Sequence, residues 1–401
     1  MQSTKGYKFR LYPNAAQREQ IKKTHGAVRY VYNLFLAYRQ NLYELQHKSV
    51  SMYDTFKLLT LVKNAEPDRK WLKQVDSKAL QLSLSNLERA YKNFFDKRAK
   101  YPRFKSRHHH RQTYSTDSSV RIIGDKIKLP KLGLVKFVQS RELIAGRIIK
   151  ATVTHSASDK YFVSIVVKGE ESVSDNGGGE IGIDVGLKSF CTDSRGNVVD
   201  NPRPLQKLSK NLKSAQRRLS RKKLGSRNRD KQRKKLARLH ERIADTRLDF
   251  LHKLTTRLCR ENQTIAVESL NIVGMLKNHK LARAISDAGW GEFFRQLDYK
   301  SKRYGCTVLK VPTTYPSSQT CSACGFKNPI VKDLSVRQWE CPQCGAIHDR
   351  DVNAAVNILT KANTVGHTGI NACGERIRRN QGAMFDEARI PTRVSRECQE
   401  E

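Results

Sequence analysis

The sequence reads as a multidomain chain of α/β plus α+β class, on three observations. Helical periodicity over the first hundred residues gives way to strand periodicity from about Thr113. A linker from Glu171 to Gly179, holding Gly177-Gly178-Gly179, then separates this part from a second succession of strands and helices. Near the C-terminal end, two Cys-x-x-Cys pairs mark a small metal-stapled unit. At 401 residues the chain is long enough for two or three compact units, each with its own core.

The elements follow in order. Tyr7-Lys8-Phe9-Arg10-Leu11-Tyr12 alternates apolar and basic side chains as far as Leu11, the period of a half-buried strand, and Pro13 stops it. Asn14 can cap a helix, with Gln17 three residues on completing a capping-box pattern. That helix runs through Ile21, Val28, Val31, Leu34, Phe35, Tyr38 and Leu42. A second presents Leu80, Leu84, Leu87, Tyr91 and Phe95 on one face, so residues 14–100 form a helical unit. Arg147 to Thr154 and Tyr161 to Val167, joined across Ser156–Asp159, read as a β-hairpin, and the Tyr7–Tyr12 strand is expected to join its sheet.

After the linker, Ile181–Gly186 and Lys188–Thr192 read as two short strands around a tight turn. Leu205 to Arg260 is helical, broken or bent near Gly225, with Leu236, Leu239, Ile243, Phe250, Leu254 and Leu258 on its apolar stripe. Thr264–Glu268 is a buried-type strand, Trp290–Tyr304 a helix, Cys306–Val311 a strand and Asp349–Leu359 a helix. From about Asn363 the chain is polar, glycine-containing and aperiodic, and residues 363–401 are expected to be a mobile tail.

Charge narrows the function. The sequence holds 76 Lys and Arg against 38 Asp and Glu, a net +38. An excess of this size repels itself unless a polyanion neutralises it, so a nucleic acid is the expected partner. Gln206 to Arg260 alone carries 20 basic and 4 acidic residues, a net +16. A charge run is ordinarily a solvated helix face, but one so lopsided in sign favours a phosphate-contacting ridge. No stretch approaches 18 uninterrupted apolar residues, and Met1 to Pro13 lacks a signal-peptide core, so a cytoplasmic, reducing setting is expected.

In that setting cysteines bind metal rather than pair. Cys321-Ser322-Ala323-Cys324 and Cys341-Pro342-Gln343-Cys344 are 16 residues apart, each followed by glycine, Gly325 or Gly345. Two such knuckles supply four thiolates in a tetrahedron, a zinc ribbon. Four thiolates leave no open position, so one Zn2+ here is structural and not hydrolytic. His348 then falls outside the ligand shell, as a surface or site-edge histidine. Cys191, Cys259, Cys306, Cys373 and Cys398 show no pairing pattern.

Three carboxylates stand where a charge needs a reason. Asp184 lies inside a strand, Glu268 closes another, and Asp351 lies in His348-Asp349-Arg350-Asp351 at a helix start. Singly each could be a strand end or a helix cap. Together, one carboxylate on a first strand, one on a later strand and one at a following helix can converge at the edge of a mixed sheet, in the RNase H manner. Three crowded acids repel unless cations intervene, and two Mg2+ ions about 4 Å apart would relieve that repulsion and hydrolyse a phosphodiester. Spacing leaves the choice between Asp349 and Asp351 open.

With these residues in view, the sequence resembles the TnpB family, transposon-encoded proteins related to the type V CRISPR nucleases. The resemblance rests on Ile183-Asp184-Val185-Gly186, Val267-Glu268-Ser269-Leu270, Tyr315-Pro316-Ser317-Ser318-Gln319-Thr320-Cys321, both cysteine knuckles and Asp349-Arg350-Asp351-Val352-Asn353-Ala354-Ala355. Upstream, Phe9-Arg10-Leu11-Tyr12-Pro13 and Tyr30-Val31-Tyr32-Asn33 match the family's opening. It implies Asp184, Glu268 and Asp351 as catalytic Mg2+ ligands, deciding for Asp351 over Asp349, and Cys321, Cys324, Cys341 and Cys344 as zinc ligands.

It further implies an RNase H-like RuvC domain (180–315 and 348–362) with a zinc ribbon (316–347). Preceding these would be a wedge β-barrel of oligonucleotide-binding type (1–13 and 101–172) with an inserted helical recognition domain (14–100). The implied activity is RNA-guided cleavage of double-stranded DNA, with a guide RNA from the transposon end pairing to target and the protein reading a short adjacent motif. A monomer, nucleoid-associated when bound to DNA, is the expected state. Tyr53, Thr55, Ser77, Lys78 and Gln81 are candidates for reading the motif, since Gln pairs with adenine edges and Lys with guanine. The intact acidic trio argues against a guided repressor without cleavage. An unguided structure-specific nuclease is the other alternative.

Overall fold

Alternation carries the first strand through: in the computed structural model of the protein, β1 spans Gln2–Tyr12 and buries Tyr7, Phe9 and Leu11 on one side. The structure describes residues 2–65, 67–109, 111–117, 119–170 and 176–366. Linker residues 171–175, the tail from 367 onward, and Cys373 and Cys398 with it lie outside the described residues.

Asn14 caps α1 (Ala15–Gln46) through the expected box: Gln17 N–H donates to Asn14 Oδ1 at 2.8 Å and Asn14 N–H to Gln17 Oε1 at 3.0 Å. Then come α2 (Met52–Ala65), a 3-10 segment (Pro67–Gln74) and α3 (Ser77–Phe95). Six strands follow: β2 (Gln112–Thr116), β3 (Arg121–Ile123), β4 (Lys126–Leu129), β5 (Gly133–Val138), β6 (Gly146–His155) and β7 (Tyr161–Glu170). They form one antiparallel sheet with β1, in the order β2-β6-β7-β1-β5-β4-β3. The expected hairpin is β6–β7, and β1 pairs with β7 along ten residues, so α1–α3 are an insertion between two strands of one sheet. Tyr7, Phe9, Val163 and Ile165 share a core with Val28, Val31 and Phe35 of α1 and Leu80, Leu84 and Leu87 of α3.

The chain divides into two compact units, residues 1–174 with 204–249, and residues 175–203 with 250–401. The basic stretch supplies α4 (Pro204–Lys207), α5 (Ser209–Ser220) and α6 (Arg227–Glu261), broken at Gly225, whose φ of 77° only glycine adopts readily. Residues 204–249 group with the first unit, whereas sequence grouping kept them with the strands that precede them. Two ion pairs join α6 to the β6–β7 turn: Lys234 Nζ lies 2.6 Å from Asp159 and Lys160 Nζ 2.8 Å from Glu241.

The second unit is built on β8 (Gly179–Val185), β9 (Ser189–Asp193), β10 (Val198–Asp200), β11 (Asn262–Glu268) and β12 (Thr307–Val311), in the order β10-β9-β8-β11-β12. β11 runs parallel to β8 and β12, and β9 is antiparallel to β8. α7 (Ile272–Met275), α8 (Ala282–Ala288) and α9 (Trp290–Tyr304) connect β11 to β12. Ile265 and Val267 face the end of α6 (Leu251, Leu254, Leu258) and α9 (Phe293, Leu297). Ala266 and Val311 face α10 (Arg350–Gly366) at Ile358 and Ala362. β11 is therefore covered on both sides at its centre, which is why Ile265, Ala266 and Val267 are consecutively apolar and buried. α10 extends to Gly366, past the expected stop at Leu359 and into the segment expected as tail. Among the described residues no helix is long and apolar enough to cross a membrane.

Candidate carboxylate site and metal centre

Asp184 lies next to last in β8 and Glu268 is last in β11. Val267 is registered opposite Ile183, so the two acids stand one residue further on, at the carboxyl ends of neighbouring parallel strands. Open α/β sheets present ligands at such ends. Asp351 reaches them on α10 because β8 offers a glycine under that helix. A Cβ at Gly182 would lie 2.0 Å from Ala355 O and 2.9 Å from Leu359 Cβ. With that side chain absent, α10 lies directly on the strand, and Asp351 sits one turn before Ala355.

The three acids form one electrostatic site. Burial pushes the partly buried Asp184 carboxyl up to about 8, and the charges of Glu268 and Asp351 add to the rise. Arg350 and the Val185 amide oppose it. The other two carboxylates are held by donors. Ser317 Oγ donates to Glu268 Oε1 at 2.5 Å, and Arg337 Nη1 lies 3.3 Å from Asp351 Oδ1. Asp349 has a different part: its Oδ1 accepts from Asp351 N–H and Val352 N–H, each at 3.0 Å, so it caps α10. That division of labour within Asp-Arg-Asp could not be read from spacing. The carboxylates are not clustered as tightly as the thiols. Among the described residues, only the four cysteines bring three or more such ligand atoms all within 4.8 Å of one another.

The cysteines meet the demands of a metal. A tetrahedron with Zn–S near 2.3 Å has edges of about 3.8 Å. Cys321 Sγ and Cys344 Sγ are 3.7 Å apart, Cys324 Sγ and Cys341 Sγ 3.6 Å. The two knuckles fold alike: Gly325 N–H donates to Cys321 O and Gly345 N–H to Cys341 O, with φ of 80° and 69° at the glycines. Although burial opposes it, the knuckle amides of Cys344 and Gln343 draw the Cys341 thiol down to about 7, toward the thiolate that binds metal. β13 (Gln338–Glu340) and β14 (Ile347–Asp349) pair beside a small core of Cys321, Val331, Trp339 and Cys341. His348, expected at the surface or the site edge, is instead half-buried against Trp339, its Nε2 3.0 Å from Cys321 Sγ.

Sequence reasoning assigned no role to the residues joining these two centres, Ser317, Arg337, Arg350, Asn353 and Asn357. The available signals were the place of Ser317, Arg350 and Asn353 inside the quoted motifs and the i, i+4 spacing of Asn353 and Asn357 on α10. The proposed motif readers fare unevenly. Tyr53 is exposed on α2, and Ser77, Lys78 and the half-buried Gln81 cluster at the start of α3. Thr55 is a correction: it is buried, and its hydroxyl donates to Met52 O at 2.6 Å within its own helix. It packs the insert and is not presented to a partner.

Three family models match the chain: “Probable transposase” over residues 164–279, “Cas12f1-like, TNB domain” over 290–358 and “Helix-turn-helix domain” over 1–48. In this structure the last stretch is a strand and one uninterrupted 32-residue helix. A relative from Streptomyces pristinaespiralis, “Putative RNA-guided DNA endonuclease”, is 40% identical over 94% of this chain and 92% of its own. Another, “Putative RNA-guided DNA endonuclease InsQ” of Escherichia coli K12, is 36% identical over 94% of this chain and 96% of its own. A mimivirus protein, “TnpB-like protein L79”, is 28% identical over 44% of this chain and 36% of its own. Among solved structures, a chain of a Cas12f1–sgRNA–target DNA complex has a TM-score of 0.48 at 13% identity, covering 89% of this chain and 98% of that one. With identities of 40% and 36% sustained over nearly the full length of both partners, this chain belongs to the TnpB family.

Proposed function

We propose that this protein is an RNA-guided DNA endonuclease that hydrolyses target phosphodiesters at Asp184, Glu268 and Asp351, using a guide RNA from the transposon end. The observation that carries the site assignment is the placement of Asp184 and Glu268 at the carboxyl ends of neighbouring parallel strands, with α10, which bears Asp351, packed on Gly182. An all-oxygen donor set with crowded negative charge is the chemistry that hard divalent cations satisfy. Two Mg2+ ions held there would supply an activated water and stabilise the leaving 3′ oxygen.

The chain's own residues divide the remaining work. Asp349 fixes the first turn of α10, and so fixes Asp351. Arg350, whose Nη1 donates to Asp333 O at 2.9 Å, anchors the helix start to the ribbon. The four thiolates would hold one structural Zn2+ in residues 316–347, a segment with too small a core to fold alone. We assign the β10-β9-β8-β11-β12 sheet with α10, residues 180–315 and 348–362 apart from the 204–249 stretch that groups with the first unit, as an RNase H-like RuvC domain. The sheet of residues 1–13 and 101–172 is assigned as an oligonucleotide-binding wedge, and residues 14–100 as the recognition insert, with Tyr53, Ser77, Lys78 and Gln81 as motif readers.

The test supplies guide RNA, a motif-flanked duplex and Mg2+ to wild type and Asp184→Ala. Wild type is expected to cut, and Asp184→Ala to bind target without cutting. Binding without cleavage by both would leave a guided repressor. Cleavage of branched DNA with no guide would leave an unguided nuclease.

A further inference from the structure

We infer that Ser317 is a positioning residue for Glu268, selecting which carboxylate oxygen faces the metal site. The inference rests on the reading of Asp184, Glu268 and Asp351 as that site. Ser317 is buried, and its hydroxyl donates to Glu268 Oε1 at 2.5 Å. A hydroxyl this close to a carboxylate oxygen makes a strong hydrogen bond to it. A hydroxyl has one proton to give. Committing it to Oε1 fixes the rotation of the carboxylate and leaves Oε2 for a cation.

The backbone of Ser317 and of the segment that follows it is itself held. Asn357 Nδ2 donates to Ser317 O at 2.8 Å and to Thr320 O at 2.6 Å. One turn earlier, Asn353 Nδ2 donates to Thr320 O at 2.8 Å, while its Oδ1 accepts Ser322 N–H at 2.9 Å. Both asparagines are buried on α10, the helix that carries Asp351 in its first turn. The segment they clamp leads from Ser317 straight into Cys321, the first ligand of the cysteine centre. One helix thus sets both Asp351 and the donor to Glu268, and the cysteine knuckle pins the far end of that donor's segment.

Hydrogen bonds to the ligands of a metal site orient them, and losing one typically lowers metal affinity about 10- to 100-fold. The experiment uses the full-length chain loaded with guide RNA and titrates Mn2+ by electron paramagnetic resonance, alongside the Mn2+ dependence of cleavage. Ser317→Ala is expected to raise the Mn2+ half-saturation about 10- to 100-fold in both readouts, with zinc content and guide-dependent target binding as in wild type. In a Glu268→Gln background, adding Ser317→Ala should change Mn2+ binding no further. A wild-type titration for Ser317→Ala overturns the inference, as does an equal effect in both backgrounds or a loss of zinc. Asp184→Ala separates the two claims. If it leaves Mn2+ binding intact, the site reading fails; if it abolishes binding while Ser317→Ala titrates as wild type, only the positioning role fails.

Discussion

Asp184 is the residue whose environment departs furthest from that of an ordinary surface acid. Its folded carboxyl titrates near 8, against about 3.9 in an unfolded chain. The folded state therefore holds this proton more tightly than the unfolded state does. Its contribution turns unfavourable as pH climbs through about 4, and the penalty is complete above about 8. Asp184→Asn is accordingly expected to melt several degrees above wild type at pH 8 in EDTA. That advantage should shrink to nothing near pH 4, as differential scanning calorimetry across pH would show. A carboxylate inside an apolar strand was legible as an anomaly from sequence. The separate part of Asp349 was not, because capping depends on which side chain meets the free amides of α10.

At the scale of elements, the packing of α10 on β8 decides whether the site exists. Gly182 lies under Ala355 with no room for a Cβ. Gly182→Ala would force the helix off the strand, an overpacking cost of about 3 kcal/mol, and would carry Asp351 away from Asp184. Thermal melts should show the loss of stability, and Mg2+-dependent cleavage should fall further than Tm alone explains. Wild-type cleavage in a folded Gly182→Ala variant would contradict this geometry. Elements with strong local signals were legible in advance: the capping box of α1, the β6–β7 hairpin, and α9 at Trp290–Tyr304. α2 went unseen because it turns Tyr53 and Leu61 to solvent, which blurs its apolar stripe.

Across the molecule the basic excess is concentrated in places. Gln232 Nε2 donates to Ala215 O at 3.1 Å and joins α5 to α6. Beside that joint a cleft of about 430 Å³ is lined by Arg218, Arg221, Lys222, Asn228, Lys231, Gln232 and Lys235, with no acid among them. Such a lining fits a phosphate backbone. Replacing its five basic residues by Gln should reduce the salt slope of guide-RNA binding by about 0.7 for each phosphate that is no longer neutralised. Filter binding from about 50 to 300 mM salt would measure it, and an unchanged slope would place the phosphates elsewhere. The charge itself was plain in the sequence, but the pairing of two helices that makes a cleft of it was not.

Residue type, near-neighbour spacing and local periodicity were enough to point to a polyanionic partner, to find the cysteine cluster and to draw most elements, while the choice of Asp351 over Asp349 came only with the family resemblance. Only the folded chain reveals that α10 lies on Gly182 and that Ser317 meets Glu268. These depend on atoms 49 residues apart in one case and on backbone approach in another. Pairings of that kind arise only when strands and helices are packed together, and no local pattern encodes them.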